Sequence, residues 1–455
     1  MRDLVASPRA ALYALCIAVF ASGCAGHSAR TVDARRALDR HDAKGALALY
    51  NKELEVESGK DLPKKVSGDN ALLLLDRATI LQQLEDYTNS SRDLETADKQ
   101  VEMLDFERST AHEIGRYLFS DNTGPYKARP FEKLFVNTLN MVNYLTQGNL
   151  SGAKVEARRF AVMQKYLSQI EKDDPTVKLL GPGSYFAGFA FERAGEFDEA
   201  IHYYDEALAC APWTTLEDPV RRLSQYAGYS SPRLTKIAKS DKAEEVDPES
   251  GELLVVVSYG RVPALIANRV PIGIALTAAG LYLDGAQTQA ARRMAGQGLV
   301  TWVNYPILEP ARRTYANPSI SVDGKDSALD TITLVDELVR EAYKKSEGPI
   351  MASAITRLIA RGAVGAGVGV AAGKASDSGA LGMLLALGTQ AALAAADTPD
   401  TRSWATLPAR VALARVRVAP GKHTVRVQAQ GVMREQQVEI GKGGFAVVNL
   451  TELSQ

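Results

Sequence analysis

Hydrophobic and polar residues follow two different periods in different parts of the chain. Between about residues 34 and 229, apolar positions recur every three to four residues, which predicts amphipathic helices joined by short polar turns. Near the end, apolar and polar residues alternate and predict antiparallel strands at 411–418, 424–430, 435–440 and 445–450. A β-branched run at 252–260 predicts a buried strand. The chain is therefore predicted to be a mainly helical α+β protein.

The helical pair at residues 184–212 matches the spacing of a tetratricopeptide hairpin. Small residues fall where its helices cross, aromatic residues fill the spaces between them, and a glycine provides the turn. The predicted packing positions are Gly188, Phe191, Gly195, Ala200, Tyr204, Ala207 and Pro212. Weaker copies at 78–97 and 144–160, and a degenerate one near 34–50, predict an irregular α-solenoid. The alternative is a helical bundle without a groove.

The middle of the chain mixes several element types. Turn-forming and charged residues at 230–250 predict a linker. A strand at 319–322, turned by Asp323 and Gly324, precedes a helix predicted at about 328–343. The run at 305–310, which contains two prolines, is typical of an edge strand or a crossing loop.

Two apolar segments, 355–372 and 379–396, interrupt this region. The first carries a glycine at every fourth residue, on one helix face that lets another helix approach closely: Gly365, Gly369 and Gly373. Two arrangements fit these segments, a glycine-zipper hairpin packed against the sheet and a hairpin inserted in a membrane. Arg357 and Arg361 in the opening turns favour the packed hairpin. The glycine face also fits a homo-oligomer.

The first 24 residues have the parts of a secretory leader: basic residues, an apolar stretch at 10–20 too short to span a bilayer, and small residues before a cysteine. The ending Ala21-Ser22-Gly23-Cys24 resembles the lipobox of bacterial lipoproteins, in which the cysteine is acylated. Ala25 stands where an aspartate would favour inner-membrane retention, so the resemblance implies the outer membrane. The alternative is ordinary secretion with cleavage after Gly23.

Charge and composition exclude several classes of function. The net charge of −1 argues against nucleic acid as a partner. Cys16 leaves with the leader and Cys24 is expected to carry lipid, so Cys210 is the remaining thiol and is predicted to be buried. The five histidines show no metal-ligand spacing, and neither a nucleophile elbow nor a phosphate-binding loop is present. We therefore predict a protein without a catalytic site, metal or cofactor.

Several short stretches resemble a family of proteobacterial tetratricopeptide-like outer-membrane lipoproteins without an established activity. The matching words are Asn143-Tyr144-Leu145, Glu156-Ala157-Arg158-Arg159, residues 251–256, residues 400–404, Leu407-Pro408-Ala409 and residues 420–423. The resemblance covers most of the mature chain. It implies an architecture and a location more than an activity.

The expected division is a leader at 1–23, a tether at 24–33, a helical repeat domain at 34–229, a linker at 230–250, a mixed α+β segment at 251–350, the apolar hairpin at 351–398 and a β-strand module at 399–455. The expected function is a lipid-anchored scaffold on the outer membrane, facing the periplasm, that binds protein partners on its concave face. The alternatives are a component of a secretion or export assembly that oligomerises through the glycine hairpin and, ranked last, a glycan-acting envelope enzyme.

Overall fold

The computed structural model describes residues 26–66, 69–100, 126, 128–170, 175–240, 247, 249–296, 302–311, 315–376 and 399–455, with backbone alone for 166–170, 175 and 361–376. Across these residues the chain folds into fourteen α-helices and ten strands. The predicted α+β class is therefore confirmed.

The first half of the chain forms a layer of helices, which we call the helical layer. Its helices are α1 (His27–Arg30), α2 (Val32–Asp39), α3 (Ala43–Glu53), α4 (Asp69–Gln83), α5 (Tyr87–Gln100), α6 (Pro130–Thr146), α7 (Leu150–Ile170), α8 (Leu180–Arg193), α9 (Phe197–Cys210), α10 (Glu217–Leu223) and α11 (Pro232–Ser240). Short turns join α2 to α3, α4 to α5, α6 to α7 and α8 to α9, so that these eight helices form four hairpins.

The four hairpins share one turn geometry. Each second helix begins two residues after a residue of positive φ, and these residues are His41, Glu85, Gly148 and Gly195. In three turns the next residue is Asp or Asn, whose side chain accepts a bond from a backbone N–H of the helix that follows, as in the 2.8 Å bond from Gly45 N to Asp42. The turns therefore repeat even though the intervals between hairpins differ.

The first helix of each of the last three hairpins is buried on almost every side. In α4, for example, every residue from Ala71 to Gln83 is buried. The second helices α5 and α9 each keep exposed or half-buried residues. Complete burial arises because α4, α6 and α8 lie between neighbouring helices and a β-sheet.

That sheet, sheet A, has the strand order β10-β1-β7-β6. Its strands are β1 (Gly251–Tyr259), β6 (Thr333–Leu334), β7 (Arg410–Val418) and β10 (Phe445–Glu452). β1 pairs in parallel with β10 and antiparallel with β7, with Val255 opposite both Val448 and Ala414. All nine residues of β1 are buried, as its apolar run predicts.

Sheet A has an apolar surface on both faces. Leu254 and Val256 pack on the helical layer, whereas Leu253, Val255 and Val257 pack in a second core. The second core lies between sheet A and sheet C, whose strand order is β5-β4-β8-β9. The strands of sheet C are β4 (Ser319–Val322), β5 (Lys325–Ser327), β8 (Gly421–Ala429) and β9 (Val432–Ile440). Helices, sheet A and sheet C therefore form three layers.

A third core belongs to a separate lobe. The lobe contains the ribbon β2 (Leu265–Pro271) and β3 (Trp302–Leu308), the helices α12 (Ile272–Ala279) and α13 (Gly285–Gly296), and the greater part of α14 (Val335–Ser376). Its core includes Ala275, Val303 and Ile355. We call residues 265–296, 302–308 and 343–376 the α12 lobe.

The structure corrects several expected boundaries. The tether expected at 24–33 is helical from His27 onward, and the linker expected at 230–250 contains α11 with buried Leu234. The helix expected at 328–343 begins at Val335, after the short strand β6, and is 42 residues long, with Pro349 inside it. The first apolar segment is thus the end of α14 and not a separate helix.

Other predictions lie wholly or partly outside the described residues. The leader, Cys24 and the second apolar segment at 379–396 fall outside them. The three glycines of the predicted zipper lie on α14, in the part with backbone alone. Within the described ranges, no helix is long and apolar enough to cross a membrane.

Candidate functional site

The inner face of the helical layer is covered by the protein's own C-terminal residues. Besides sheet A, a segment at residues 401–409, here called the docked segment, lies on it with Trp404 and Leu407 fully buried. The N–H of Trp404 donates to Glu132 Oε1 at 2.9 Å, and the N–H of Thr406 donates to Asp76 Oδ1 at 3.0 Å. The face expected to bind partners is therefore engaged within the chain.

A buried charge network joins the helices to sheet A. Arg415 on β7 donates to Glu252 on β1 at 2.6 Å and to Glu192 on α8 at 2.7 Å. Tyr204 donates to the same Glu192 carboxylate at 2.5 Å and accepts from Arg415 at 3.0 Å. Arg193 contacts both carboxylates, at 2.9 Å and 3.3 Å. Opposite charges thus replace water at the centre of this interface.

The network fixes the charge of its two acids. Burial alone would raise the pKa of Glu192, but the guanidiniums of Arg415 and Arg193 outweigh it and lower that pKa to about 2. The pKa of Glu252 is also lowered, because Arg415 outweighs the effect of its burial. Both carboxylates are therefore ionised at neutral pH and serve as anchors for Arg415, not as proton donors.

The chain is held in the body two residues after Cys24. The His27 ring lies 3.0 Å from Asp76 and both side chains are completely buried. A Cβ placed on Gly26 would lie 2.7 Å from Thr401 Oγ1 of the docked segment. Helix α1 also lies beside β2, so the chain at residues 27–30 is close to the α12 lobe.

A two-part cleft flanks Pro263 beneath α14. The polar part contains Arg261, Glu309, Asp336 and Arg340. Most of its polar groups already have partners. Arg261 donates to Asp39 and to the carbonyl of Leu453, and Asp336 accepts from Arg410. Arg340 donates to the carbonyl of Glu309, whose carboxylate contacts Arg35. This part of the cleft is therefore a set of internal ion pairs more than an open charged site.

The apolar part of the cleft is lined by Val262, Leu308, Val339 and Trp404, among others. Trp404 Nε1 is buried there without an acceptor. Arg129, Glu132 and Ser403 also line this part, but each has a partner within the chain. Arg129 donates to Glu132 at 3.1 Å, and the Ser403 hydroxyl accepts from the N–H of Leu265 at 3.3 Å. Among the described residues, no three His, Cys, Asp or Glu side chains are grouped so that they could hold a metal ion.

The predicted packing residues lie together in the hairpin of α8 and α9. A Cβ on Gly188 would lie 2.4 Å from the Tyr204 ring, so the two helices cross closely there. Gly195 has a φ of +78° in the turn, and Phe191 stacks on Tyr203 with ring centroids 5.5 Å apart. The remaining members of this set are Ala200 and Ala207, which are fully buried, and Pro212, which follows the end of α9.

The charged side chains of residues 156–159 do not form a continuous basic surface. Glu156 is buried and accepts a bond from Asn137, and Arg158 lies over the Phe191 ring, 5.7 Å from its centroid. Cys210, predicted to be buried, is half-buried, and burial raises the pKa of its thiol to about 11.

Sequence reasoning missed the residues that join the layers. Glu252 is the one charged residue in the apolar run of β1, and Arg415 is one of three arginines on β7. A charge within a strand that is otherwise buried, as at Glu252, is the signal that could have found this network. His27 and Asp76 have no comparable signal, because 49 residues separate them and only the fold brings them together.

No protein-family model matches this chain, and no curated protein matches it either. The function proposed next therefore depends on the residues themselves.

Proposed function

We propose that this protein is a lipid-anchored scaffold at the periplasmic face of the outer membrane, built on tetratricopeptide-like hairpins, that binds protein partners in envelope biogenesis or maintenance. The four hairpins with a common turn support the repeat assignment. The lipobox-like residues before Cys24 support the anchor.

The observation that carries the proposal is an exposed apolar strip at the turn end of the later hairpins. Tyr226 is 72% exposed, and its ring lies 5.9 Å from that of Phe197, which is 37% exposed. Val155 on α7 is 45% exposed and neighbours Lys154, which bonds to Glu196 at 2.5 Å, next to Phe197. Solvent-exposed aromatic and aliphatic groups of this kind are typical of protein-binding surfaces.

This strip is also a better candidate for partner binding than the inner face. A peptide entering the inner face would have to displace Trp404 and break the bonds of Asp76 and Glu132, which are satisfied within the chain. The strip needs no such displacement. The proposed partner therefore binds at the end of the helical layer where the turns of the later hairpins lie.

Site-specific photo-crosslinking in intact cells tests this proposal. A photoreactive residue at Tyr226 should crosslink to a protein partner, and Phe197→Ala should abolish that product. The matched control is the same group at Met433, which is 63% exposed on β9 of sheet C. Equal products from both positions, or none from Tyr226, would refute the proposed surface.

A Cys24→Ser chain separates the anchor from the scaffold. If the anchor is needed only for location, the soluble chain should still crosslink to a purified partner while failing to fractionate with the outer membrane. Continued fractionation with the outer membrane would count against lipidation at Cys24.

A second candidate function is a component of a secretion or export assembly. The four-residue spacing of Gly365, Gly369 and Gly373 along the extended helix α14 favours it, since such glycines share one helix face. Detergent-resistant oligomers that disappear in Gly369→Leu would support this candidate, and a chain that stays monomeric would exclude it.

A further inference from the structure

The α12 lobe is strongly basic. Its residues, 265–296, 302–308 and 343–376, include eight lysines and arginines but only two acids, Asp284 and Glu347. The whole chain has a net charge of −1, so the rest of the protein has a net charge of about −7. Positive charge is therefore concentrated in one lobe of an acidic protein.

The same lobe exposes large apolar side chains. Leu281, just after α12, is 97% exposed, and Ile274 in the first turn of α12 is 59% exposed. Trp302 on β3 is 40% exposed, and the Arg269 guanidinium lies 5.4 Å from its ring centroid. Pro271, which precedes α12, pairs with Trp302, so the tryptophan and the start of the helix are adjacent.

The lobe is also close to the expected lipid. Helix α1, which begins three residues after Cys24, lies beside β2 of the lobe. The docked segment connects the two, because Thr401 contacts Gly26 while the Ser403 hydroxyl accepts from the N–H of Leu265 at 3.3 Å. A lipid on Cys24 would therefore bring this lobe to the membrane surface.

We propose that the α12 lobe is a membrane-docking surface that binds anionic phospholipid. Leu281 and Ile274 insert at the boundary between the glycerol groups and the acyl chains. Trp302 lies in the interfacial region, where tryptophan is most favourable. Arg292 and Arg293, both exposed on α13, face the lipid phosphates. At eight residues, about 12 Å, α12 is an interfacial helix and not a membrane span.

Charge and side-chain chemistry together favour a lipid surface over a protein partner. A protein interface would require complementary acidic groups at several fixed places, whereas a mixed bilayer presents mobile anionic headgroups above an apolar layer. Exposed apolar side chains in a basic lobe, with one arginine against an exposed tryptophan ring, fit such a bilayer surface.

Vesicle co-flotation of the non-lipidated chain tests the inference without depending on the anchor. The protein is the chain from residue 24 with Cys24→Ser, which includes every described residue. The vesicles are phosphatidylcholine alone or phosphatidylcholine with about one third phosphatidylglycerol. Binding is expected on the anionic vesicles, with a partition coefficient that falls steeply with added salt.

Two sets of variants identify the binding groups. Arg292→Gln with Arg293→Gln should lower the partition coefficient about 30-fold, because each basic residue near an anionic surface contributes about fivefold. Leu281→Asp should lower it at least about tenfold. The matched controls are Lys422→Gln with Lys442→Gln, which remove two exposed charges from sheet C or its adjoining turn, and Met433→Asp.

The remaining outcomes overturn the inference. These are no binding to anionic vesicles, equal binding to both vesicle types, or equal effects of the lobe variants and their controls. A dimer in solution that Leu281→Asp dissociates would assign the surface to a second copy. A clear loss of thermal stability in Leu281→Asp would mean that this side chain is packed inside the protein. Failure here leaves the crosslinking test of the scaffold unaffected.

Discussion

Replacing Arg415 with methionine should destabilise the protein strongly, because this guanidinium neutralises two buried carboxylates. The lowering of the Glu192 pKa from its ordinary 4.5 to about 2 corresponds to about 3 kcal/mol in favour of the charged carboxylate, net of the cost of its burial. Breaking a buried pair by removing one partner costs about 3–5 kcal/mol. Since Arg193 and Arg222 still contact Glu192 Oε1, we expect the lower end, about 3 kcal/mol.

Urea denaturation followed by tryptophan fluorescence measures this loss, because Trp213 and Trp404 are buried. The control is Arg426→Met, which removes an exposed arginine from its pair with Glu435 on the neighbouring strand. Exposed pairs of this kind contribute less than about 1 kcal/mol. Equal losses in the Arg415 and Arg426 variants would refute the reasoning that the buried network holds sheet A to the helices.

The pH dependence of the free energy of unfolding tests the same network in a second way. In the native protein Glu192 has a lower pKa when folded than when unfolded, so its stabilisation is complete above about pH 4.5 and is lost as the pH falls towards 2. In Arg415→Met the pKa of Glu192 should rise, and the loss of stability over this pH range should become smaller. An unchanged slope would contradict the assignment of Arg415 as a principal cation for Glu192.

Three further predictions concern single sites. Gly188→Ala should destabilise the protein by about 1–3 kcal/mol in urea denaturation, because the new Cβ would overlap the Tyr204 ring. The hydrogen bond that His423 donates to the Asp323 carboxylate raises the pKa of His423. This pairing therefore stabilises the fold below about pH 6.5, and its contribution is lost as the pH rises through the folded pKa. NMR titration should show that pKa falling towards 6.5 in Asp323→Asn. Cys210, with its pKa near 11, should react with a disulfide reagent at pH 8 about a hundredfold more slowly than a thiol of ordinary pKa.

The predictions for Gly188 and Cys210 each have a control experiment. Gly441→Ala should be almost neutral, since a Cβ there meets no atom within 4 Å, and a large loss would mean that any glycine replacement destabilises the fold. For Cys210, adding urea should restore the ordinary rate; a fast reaction in the native protein would show that the thiol is accessible.

Local sequence patterns predicted the elements much better than their assembly. The strands β1, β4, β7 and β10 lie within two residues of the predicted runs, because alternation and β-branched residues report burial directly. The limits of α14 could not be predicted in the same way. Gly348 and Pro349 usually end a helix, but here the packing of Ile350 and Ile355 in the lobe core outweighs their local preference.

The relation between the layers could not be predicted at all. Docking of residues 401–409 depends on bonds such as the one between Thr406 and Asp76, whose partners are 330 residues apart. The position of Trp404 illustrates this, because nothing in the residues around it indicates that it is buried in the core of the helical layer. Periodicity shows which face of a single helix or strand is exposed and which is buried. It does not show which other element packs against the buried face.

The parallel pairing of β10 with β1 sets the order in which the chain can fold. The helices are synthesised first, but α4 and α6 cannot be buried until β10, at residues 445–452, has been made and packs beside them. Such long sequence separations slow folding, and the waiting helices expose apolar surface meanwhile. A chain that ends even fifteen residues early should therefore be a substrate for chaperones and proteases, although all fourteen described helices have been made.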